Sequence, residues 1–323
     1  MDHKIIKKLL DKIKRNKPKI LVLGDVMLDQ YINGKVNRIS PEAPVPILDF
    51  KNEKSVLGGA GNVIHNLTCL DLEPSLATIL GDDSGGELII NLLLKLKVSP
   101  NLISILKSIK TTKKTRFITQ GTHLLRLDSD SNKLLVSDLE DFKKRILQKV
   151  SRYDCIIISD YNKGVCDELV IQEIIKKANK KHLPIYIDPK GSNWNKYKNA
   201  TCLTPNTKEI EKQLSLKLES DLDFENAARK IQKRLKLKSC LITRGEDGMT
   251  YYDEEKTLHQ KVGKKEVFDV SGAGDTVIAC LASSVSSGIT IEDSIEISSI
   301  LSSEVVTRIG TVPLSIKTFM PND

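Results

Sequence analysis

The sequence predicts an α/β protein in which a doubly wound, mostly parallel sheet is flanked by helices and accompanied by a small separate β layer. Three observations carry this. Short runs of β-branched and apolar residues recur along the chain and end in Gly, Asp or another polar group. Helical patterns lie between several of them, and two early stretches break that rhythm with strand-like sequence.

Taken in order, the N-terminal stretch places Ile5, Ile6, Leu9, Leu10 and Ile13 on one helical face with lysines opposite, the pattern of a helix packed against its own domain. "KILVLGD" (19–25), "CIIISDY" (155–161), "LPIYIDPKG" (183–191), "ATCLTPN" (200–206) and "SCLITRG" (239–245) read as buried parallel strands. The patterns over 167–181 and 223–236 read as the helices such strands require between them. "YINGKVNRISPEAPVPILDF" (31–50) and "KKTRFITQGTHLLRLD" (113–128) read as the β layer, the second as a hairpin turning near Gly121. Hinged over the strand ends, the layer is expected to act as a lid built from segments about 31–57 and 112–128, with extra edge strands on the main sheet as the alternative. The chain, 1–323, is expected to form a single domain.

Composition excludes several function classes. With 40% hydrophobic residues the chain can bury a full core, yet no apolar run approaches the roughly 20 residues of a membrane span. "MDHKIIKKLLDKIKR" has no uninterrupted signal-peptide core, so a cytoplasmic location is expected. Six cysteines show no CxxC spacing and most lie in apolar stretches, as reduced buried thiols do. The formal charge of +8 comes from scattered lysines, and aromatics make up only 4%, so stacking platforms for nucleic acid are scarce. A basic field that attracts anionic metabolites is the functional reading of that charge.

Polar residues gather at the carboxyl ends of the strands, at Asp25, Asp160, Asp188, Asn206 and Thr243, where open α/β sheets bind ligands. One further stretch concentrates chemistry there. In "DVSGAGDTVIACLA" (269–282), Gly272, Ala273 and Gly274 precede a lone carboxylate, Asp275; following "KKEVF" (264–268), the stretch is expected to be a strand or loop that turns into a helix from about Thr276, ending at Gly288. Small residues let the amides of 272–275 converge, and a helix N-terminus adds about half a positive charge, which makes an anion hole. A carboxylate beside an anion hole is out of place in a simple phosphate site. It makes sense as a base that takes a proton from an attacking hydroxyl while the amides hold the transferred phosphoryl charge.

These residues resemble a known family. "DVSGAGDTVIACLA" resembles the C-terminal signature of the ribokinase/PfkB carbohydrate kinases, and "LGGAGN" (57–62) their N-terminal signature. The resemblance implies a ribokinase-like fold, ATP and Mg2+ as cofactors, and Asp275 as general base with Gly272, Ala273 and Gly274 around it. It also implies Asp29 as an acidic sugar ligand. "TPNTKE" (204–209) is similar to the family's N-x-x-E magnesium motif, which places Asn206 and Glu209 at the metal. "TRGEDG" (243–248) is similar to its nucleotide segment, which places Thr243, Gly245 and Gly248, with Asn206 and Gly274, at the nucleotide. The longer matches "GDVMLDQYINGKVNRISPEAPVP", "SDYNKG", "DPKG" and "GAGDTVI" narrow the likeness to the heptose 7-phosphate kinases of lipopolysaccharide-core synthesis. Those enzymes phosphorylate an anomeric hydroxyl, and the resemblance implies a homodimer joined through the lids. Where such a kinase is fused to an adenylyltransferase, the chain is expected to match the kinase half alone.

Beside the resemblance each residue has its own chemistry. Gly58 and Gly59 permit close approach of a ligand, Asn62 offers a donor and an acceptor to a sugar diol, and Asp29 can accept from two hydroxyls or cap a turn. Asn206 and Glu209, three apart at a helix start, either hold magnesium or cap the helix. Asp160 joins the substrate side, and Lys190 neutralises phosphate or stands as surface charge. Lys114, Arg116 and Arg126, on the two arms of the hairpin, are candidate phosphate ligands or a basic edge that discourages aggregation. Ile64 and Cys280 depart from the small residues the family pattern expects, and Ser298, Ser299, Ser302 and Ser303 from an alanine-rich helix. A kinase for another phosphosugar, and a non-catalytic sugar- or nucleotide-binding regulator, are the alternative functions.

Overall fold

All five apolar runs form strands, and the five lie side by side. The computed structural model describes residues 2–130, 133–262, 269–308, 310 and 312–316; the stretch 264–268 lies outside the described residues. The chain opens with α1 (Asp2–Asn16), β1 (Ile20–Gly24), β2 (Val26–Ile39), β3 (Pro46–Gly59), α2 (Ala60–Cys69), β4 (Ser75–Gly81), α3 (Ser84–Lys95) and β5 (Leu102–Leu106). It continues with β6 (Lys113–Thr119), β7 (Thr122–Ser129), α4 (Val136–Leu147), β8 (Cys155–Ser159), α5 (Glu168–Lys180), β9 (Ile185–Asp188), β10 (Cys202–Leu203) and α6 (Thr207–Leu214). It closes with α7 (Asp221–Leu235), β11 (Ser239–Thr243), β12 (Met249–Asp253), β13 (Thr257–Gln260), α8 (Ala273–Ser286) and α9 (Ile291–Val305).

The main sheet has nine strands in the order β13-β12-β11-β10-β9-β8-β1-β4-β5. The run from β11 to β5 is parallel, and β12 and β13 add an antiparallel edge. Alternation along the central strands feeds two cores. Ile20 and Val22 of β1 and Cys155 and Ile157 of β8 pack on one face, with residues of α1, α2, α8 and α9. Leu21, Leu23, Ile156 and Ile158 pack on the other, with residues of α4, α5 and α7. The expected amphipathic helix α1 buries Ile6, Leu9 and Ile13 in the first of these cores. Ile64 and Cys280 are likewise buried there, so the larger side chains are accommodated by packing and do not reach the site. Five of the six cysteines are buried and all six are free thiols. Among the described residues, no helix is long and apolar enough to cross a membrane.

The β layer is a separate four-stranded sheet, β3-β2-β6-β7, so its strands are not added to the edges of the main sheet. It starts earlier than the sequence suggests, because β2 leaves the end of β1 after Asp25 alone and pairs along its length with β3. The hairpin between β6 and β7 turns on Gln120 and Gly121, both with positive φ, the geometry that matches the twist of two paired strands. In register, Asp29 and Tyr31 of β2 pair with Lys114 and Arg116 of β6, which pair in turn with Asp128 and Arg126 of β7. These six residues share the face of the lid sheet that carries Asp29 to the strand ends.

Candidate active site

The parallel strands deliver their polar ends in spatial order. β1 leads through Asp25 into β2 and Asp29; β8 ends in Asp160 and Tyr161; β9 in Asp188 and Lys190; β10 in Asn206, with Glu209 in the first turn of α6; and β11 in Thr243. The lid therefore stands at the β1 side, and the Thr243–Gly248 turn at the β11 side.

Between them lies the start of α8. The helix begins at Ala273, three residues earlier than the sequence suggests, because Gly272 takes the left-handed conformation at φ 83° and caps it without a side-chain hydrogen bond. Asp275 thus falls in the first helical turn. Among the described residues, a β-carbon on Gly274 would meet only the Asp188 carboxylate, at 3.9 Å, so the first turn has room beside it. The Ala273 amide donates to the Val270 carbonyl at 3.3 Å; the other amides of the first turn, the helix N-terminus and that space fit a phosphoryl group.

Asp275 is only 2% exposed. Asn62 donates to its Oδ2 at 2.9 Å, and the Tyr161 hydroxyl donates to its Oδ1 at 3.0 Å. Burial pushes the carboxyl up to about 6, with Asp29 adding to the rise, while the bonds from Asn62 and Tyr161 and the charge of Lys190 oppose it. A carboxylate poised there is ionised at neutral pH and basic enough to accept a proton.

Other expected residues land in mixed positions. Asp29, buried, accepts from Arg116 at 2.6 Å, and the guanidinium lies 5.2 Å from the Tyr31 ring centre. Arg116 is therefore already engaged on Asp29. Arg126 makes two 2.9 Å bonds to Asp128 and is exposed. Lys114 lies 5.8 Å from the Tyr161 ring centre, and burial holds its ammonium below the ordinary lysine range. Asn62 turns its amide nitrogen to Asp275, so that donor holds the carboxylate. The glycines of "LGGAGN" also serve the chain itself. A β-carbon on Gly58 would come within 2.4 Å of the Asp29 carboxylate, and one on Gly59, at φ 61°, within 2.4 Å of the Asp25 carbonyl oxygen.

Asp160 does not join the site. It is fully buried, ion-paired with Lys196, and accepts from the Tyr197 hydroxyl and the Asn162 amide, both at 2.6 Å. With those partners it anchors the loop and cannot serve a sugar. Asp25, close by, accepts the amides of Tyr161, Lys163 and Val165. Asp25, Asp160 and Cys166 lie close enough to share an ion, but the bonds just described already occupy both carboxylates.

On the β10 side, Asn206 and Glu209 form the capping box: Asn206 Oδ1 accepts the Glu209 amide and Glu209 Oε2 accepts the Asn206 amide, both at 3.0 Å. Glu209 Oε1 pairs with the Lys190 ammonium. That ammonium occupies the position of a cation against the Glu209 carboxylate, so the donor set fits a small positive ion in its place. Thr243 is tied to this strand end, its carbonyl accepting from the Thr207 hydroxyl at 3.3 Å. Gly245 and Gly248 frame the turn that leads into β12.

The structure brings two further residues to Asp275. One is Tyr161, quoted in "SDYNKG"; the other is Asp188, in "DPKG". Burial holds the Asp188 carboxyl well above the carboxylate range, with Glu209 and Asp275 reinforcing the shift. The sequence marks each by its place at a strand end and within a family-like motif, and neither signal points to Asp275.

A model of the pfkB family carbohydrate kinases matches residues 17–318. The chain belongs to that family. It is 39% identical over 305 residues to the bifunctional protein HldE of Sulfurimonas denitrificans, a match covering 94% of this chain and 64% of that protein. It is 42% identical over 298 residues to the bifunctional protein HldE of Campylobacter concisus, covering 92% of this chain and 62% of that one. The chain thus spans a little under two thirds of these relatives. Phosphofructokinase-2 from Escherichia coli in complex with potassium has a TM-score of 0.78 at 18% identity, covering 94% of this chain and 97% of that one. Ribokinase from Arabidopsis thaliana complexed with ribose and ATP gives 0.73 at 18%, covering 94% and 98%. These two likenesses establish the ribokinase-like fold.

Proposed function

We infer that the chain transfers the γ-phosphoryl group of ATP to the anomeric O1 of D-glycero-D-manno-heptose 7-phosphate, giving the 1,7-bisphosphate. The observation that carries this is Asp275, buried and held by two donors in the first turn of α8, beside Gly272 and Gly274. In the proposed reaction Asp275 accepts the proton of O1 as that oxygen attacks, and the amides at the start of α8 hold the phosphoryl charge. Asp29 accepts hydroxyls of the sugar, oriented by its bond from Arg116. Thr243, Gly245 and Gly248 border the nucleotide. Support for the heptose comes from the sequence likeness and from the HldE relatives. A panel of phosphorylated and free sugars, each with ATP and magnesium and followed by ADP release, tests the assignment; fastest turnover on another phosphosugar would reassign the substrate.

A divalent cation fits at Asn206 and Glu209, with Lys190 released toward phosphate. When bound it neutralises charge on the β- and γ-phosphates. Glu209→Gln is expected to raise the magnesium concentration needed for half-maximal activity, and an unchanged titration would leave Glu209 to the capping box and the Lys190 pair.

The lid also suits pairing with a second copy. Phe50 is 65% exposed, Leu125 61% and Leu127 56%, and all three stand on the sheet face opposite Arg116 and Arg126. In this reading the protein is a cytoplasmic homodimer, and Leu125→Glu shifts it to monomer in sedimentation velocity. A wild type that sediments as a monomer contradicts the pairing.

A further inference from the structure

The residue that the family reading leaves without a role is Tyr161, and its surroundings are unusually determined. It follows β8 through Asp160, and its amide donates to Asp25 Oδ2 at 2.9 Å. Two more amides, of Lys163 and Val165, reach the same carboxylate at 3.0 Å, and Asn162 takes a left-handed φ of 57° to make the turn. The loop is thus fastened to Asp25 by three amides around the tyrosine. A β-carbon on Gly59 would press on the ring edge at 3.3 Å, which closes one side. Lys114 of the lid and Lys190 from the end of β9 lie 5.8 and 6.0 Å from the ring centre. So placed, the hydroxyl donates to Asp275 Oδ1 at 3.0 Å, while Asn62 holds Oδ2.

A phenol beside a buried carboxylate has two possible roles. It can give up its proton, or it can donate a hydrogen bond and stay neutral. The second wins here: burial and the charges of Asp275, Asp188 and Asp29 hold the Tyr161 hydroxyl well above the ordinary phenol range. A neutral donor stabilises the ionised form of its acceptor. The charged and titratable groups that face the pair are Asp29 of β2, Lys114 of β6, and Asp188 and Lys190 at the end of β9. The carboxylates among them favour the protonated base, and Tyr161 and Lys190 oppose them.

We propose that Tyr161 is the positioning residue of the base, its hydroxyl keeping the Asp275 carboxylate ionised and in one orientation when the substrate hydroxyl arrives. The proposal rests on the reading of Asp275 as the base. It carries a consequence for pH. Activity requires ionised Asp275, so it falls as pH drops through the Asp275 midpoint, about 6 in the unaltered protein. Without the Tyr161 bond the midpoint moves up by about one to two pH units, the equivalent of one hydrogen bond to a charged group.

The test is Tyr161→Phe, which removes a single oxygen. The Asp275 side chain is followed in protein labelled with 13C at the aspartate carboxyl carbons, its resonance being the one that Asp275→Asn abolishes. The expected result is an upward move of that titration midpoint. It is matched by a rise in the acid limb of kcat/KM against pH with heptose 7-phosphate and ATP, and by recovery of most of the rate at high pH. An unmoved midpoint, or a loss of rate equal at every pH, overturns the proposal. Should Tyr161→Phe fail to fold, 3-fluorotyrosine placed at 161 alone keeps the bond and makes the donor more acidic. The midpoint then moves down, and an unmoved one is again contradictory. Near-normal turnover by Asp275→Asn sinks the base reading itself, an outcome separate from an unmoved midpoint with Asp275 essential.

Discussion

Asp275→Asn lowers kcat by about 10²–10⁴-fold, the range a general base contributes, and leaves the binding of ATP nearly unchanged. The amide keeps the shape of the side chain and can still meet the Tyr161 and Asn62 groups, with one polarity mismatched. What it cannot do is take a proton. Because the amides at the start of α8 remain, the variant retains the electrostatic part of the reaction, so some turnover survives. Single-turnover measurement of ADP formation, beside nucleotide binding by calorimetry, separates the two effects. Turnover within a few-fold of normal would remove Asp275 from the proton transfer.

Arg116→Ala and Arg126→Ala have unlike consequences, although both arginines point from the same lid face. Arg116 pairs with Asp29 where the two side chains are 12% and 6% exposed. Removing the guanidinium takes the ion-pair partner from a buried carboxylate, which costs up to about 3–5 kcal/mol of stability. It also costs substrate recognition, because Asp29 loses the partner that orients it; a charged bond of this kind corresponds to about 10- to 150-fold in kcat/KM. That loss falls on phosphorylated and free heptose alike. Arg126, paired with Asp128 in the open, changes stability by no more than about 1 kcal/mol when removed. Its loss is felt only by the substrate that carries the 7-phosphate. Thermal melts and the ratio of kcat/KM on the two sugars read both contrasts, and equal stability of the two variants would contradict the buried pair.

The central strands are legible because a strand buried on both faces has to be apolar throughout, as "ILVLG" and "CIIIS" are. β5 is not, since only Leu102 and Ile103 of its five residues "LISIL" are buried and the run is too short to tell from part of a helix. The turn at Gln120–Gly121 is legible because glycine is the residue that tolerates its backbone. At the site, the Gly272–Asp275 stretch announces itself by composition alone. Its partners do not, because the contacts that define them span the chain: Tyr161 meets Asp275 across 114 positions and Arg116 meets Asp29 across 87. Asn206 and Glu209 show the limit from the other side. Three residues apart at a helix start, they allow a cap and a metal pair equally, and the fold realises the cap.

Phosphoryl transfer to O1 is the central claim, and 31P NMR of the purified chain with heptose 7-phosphate, ATP and magnesium tests it most directly. The predicted result is a new resonance split by the anomeric proton, growing in step with ADP while the 7-phosphate resonance persists, and absent with Asp275→Asn. ADP and inorganic phosphate appearing without a sugar 1-phosphate resonance, or a new phosphate on another carbon, would contradict it.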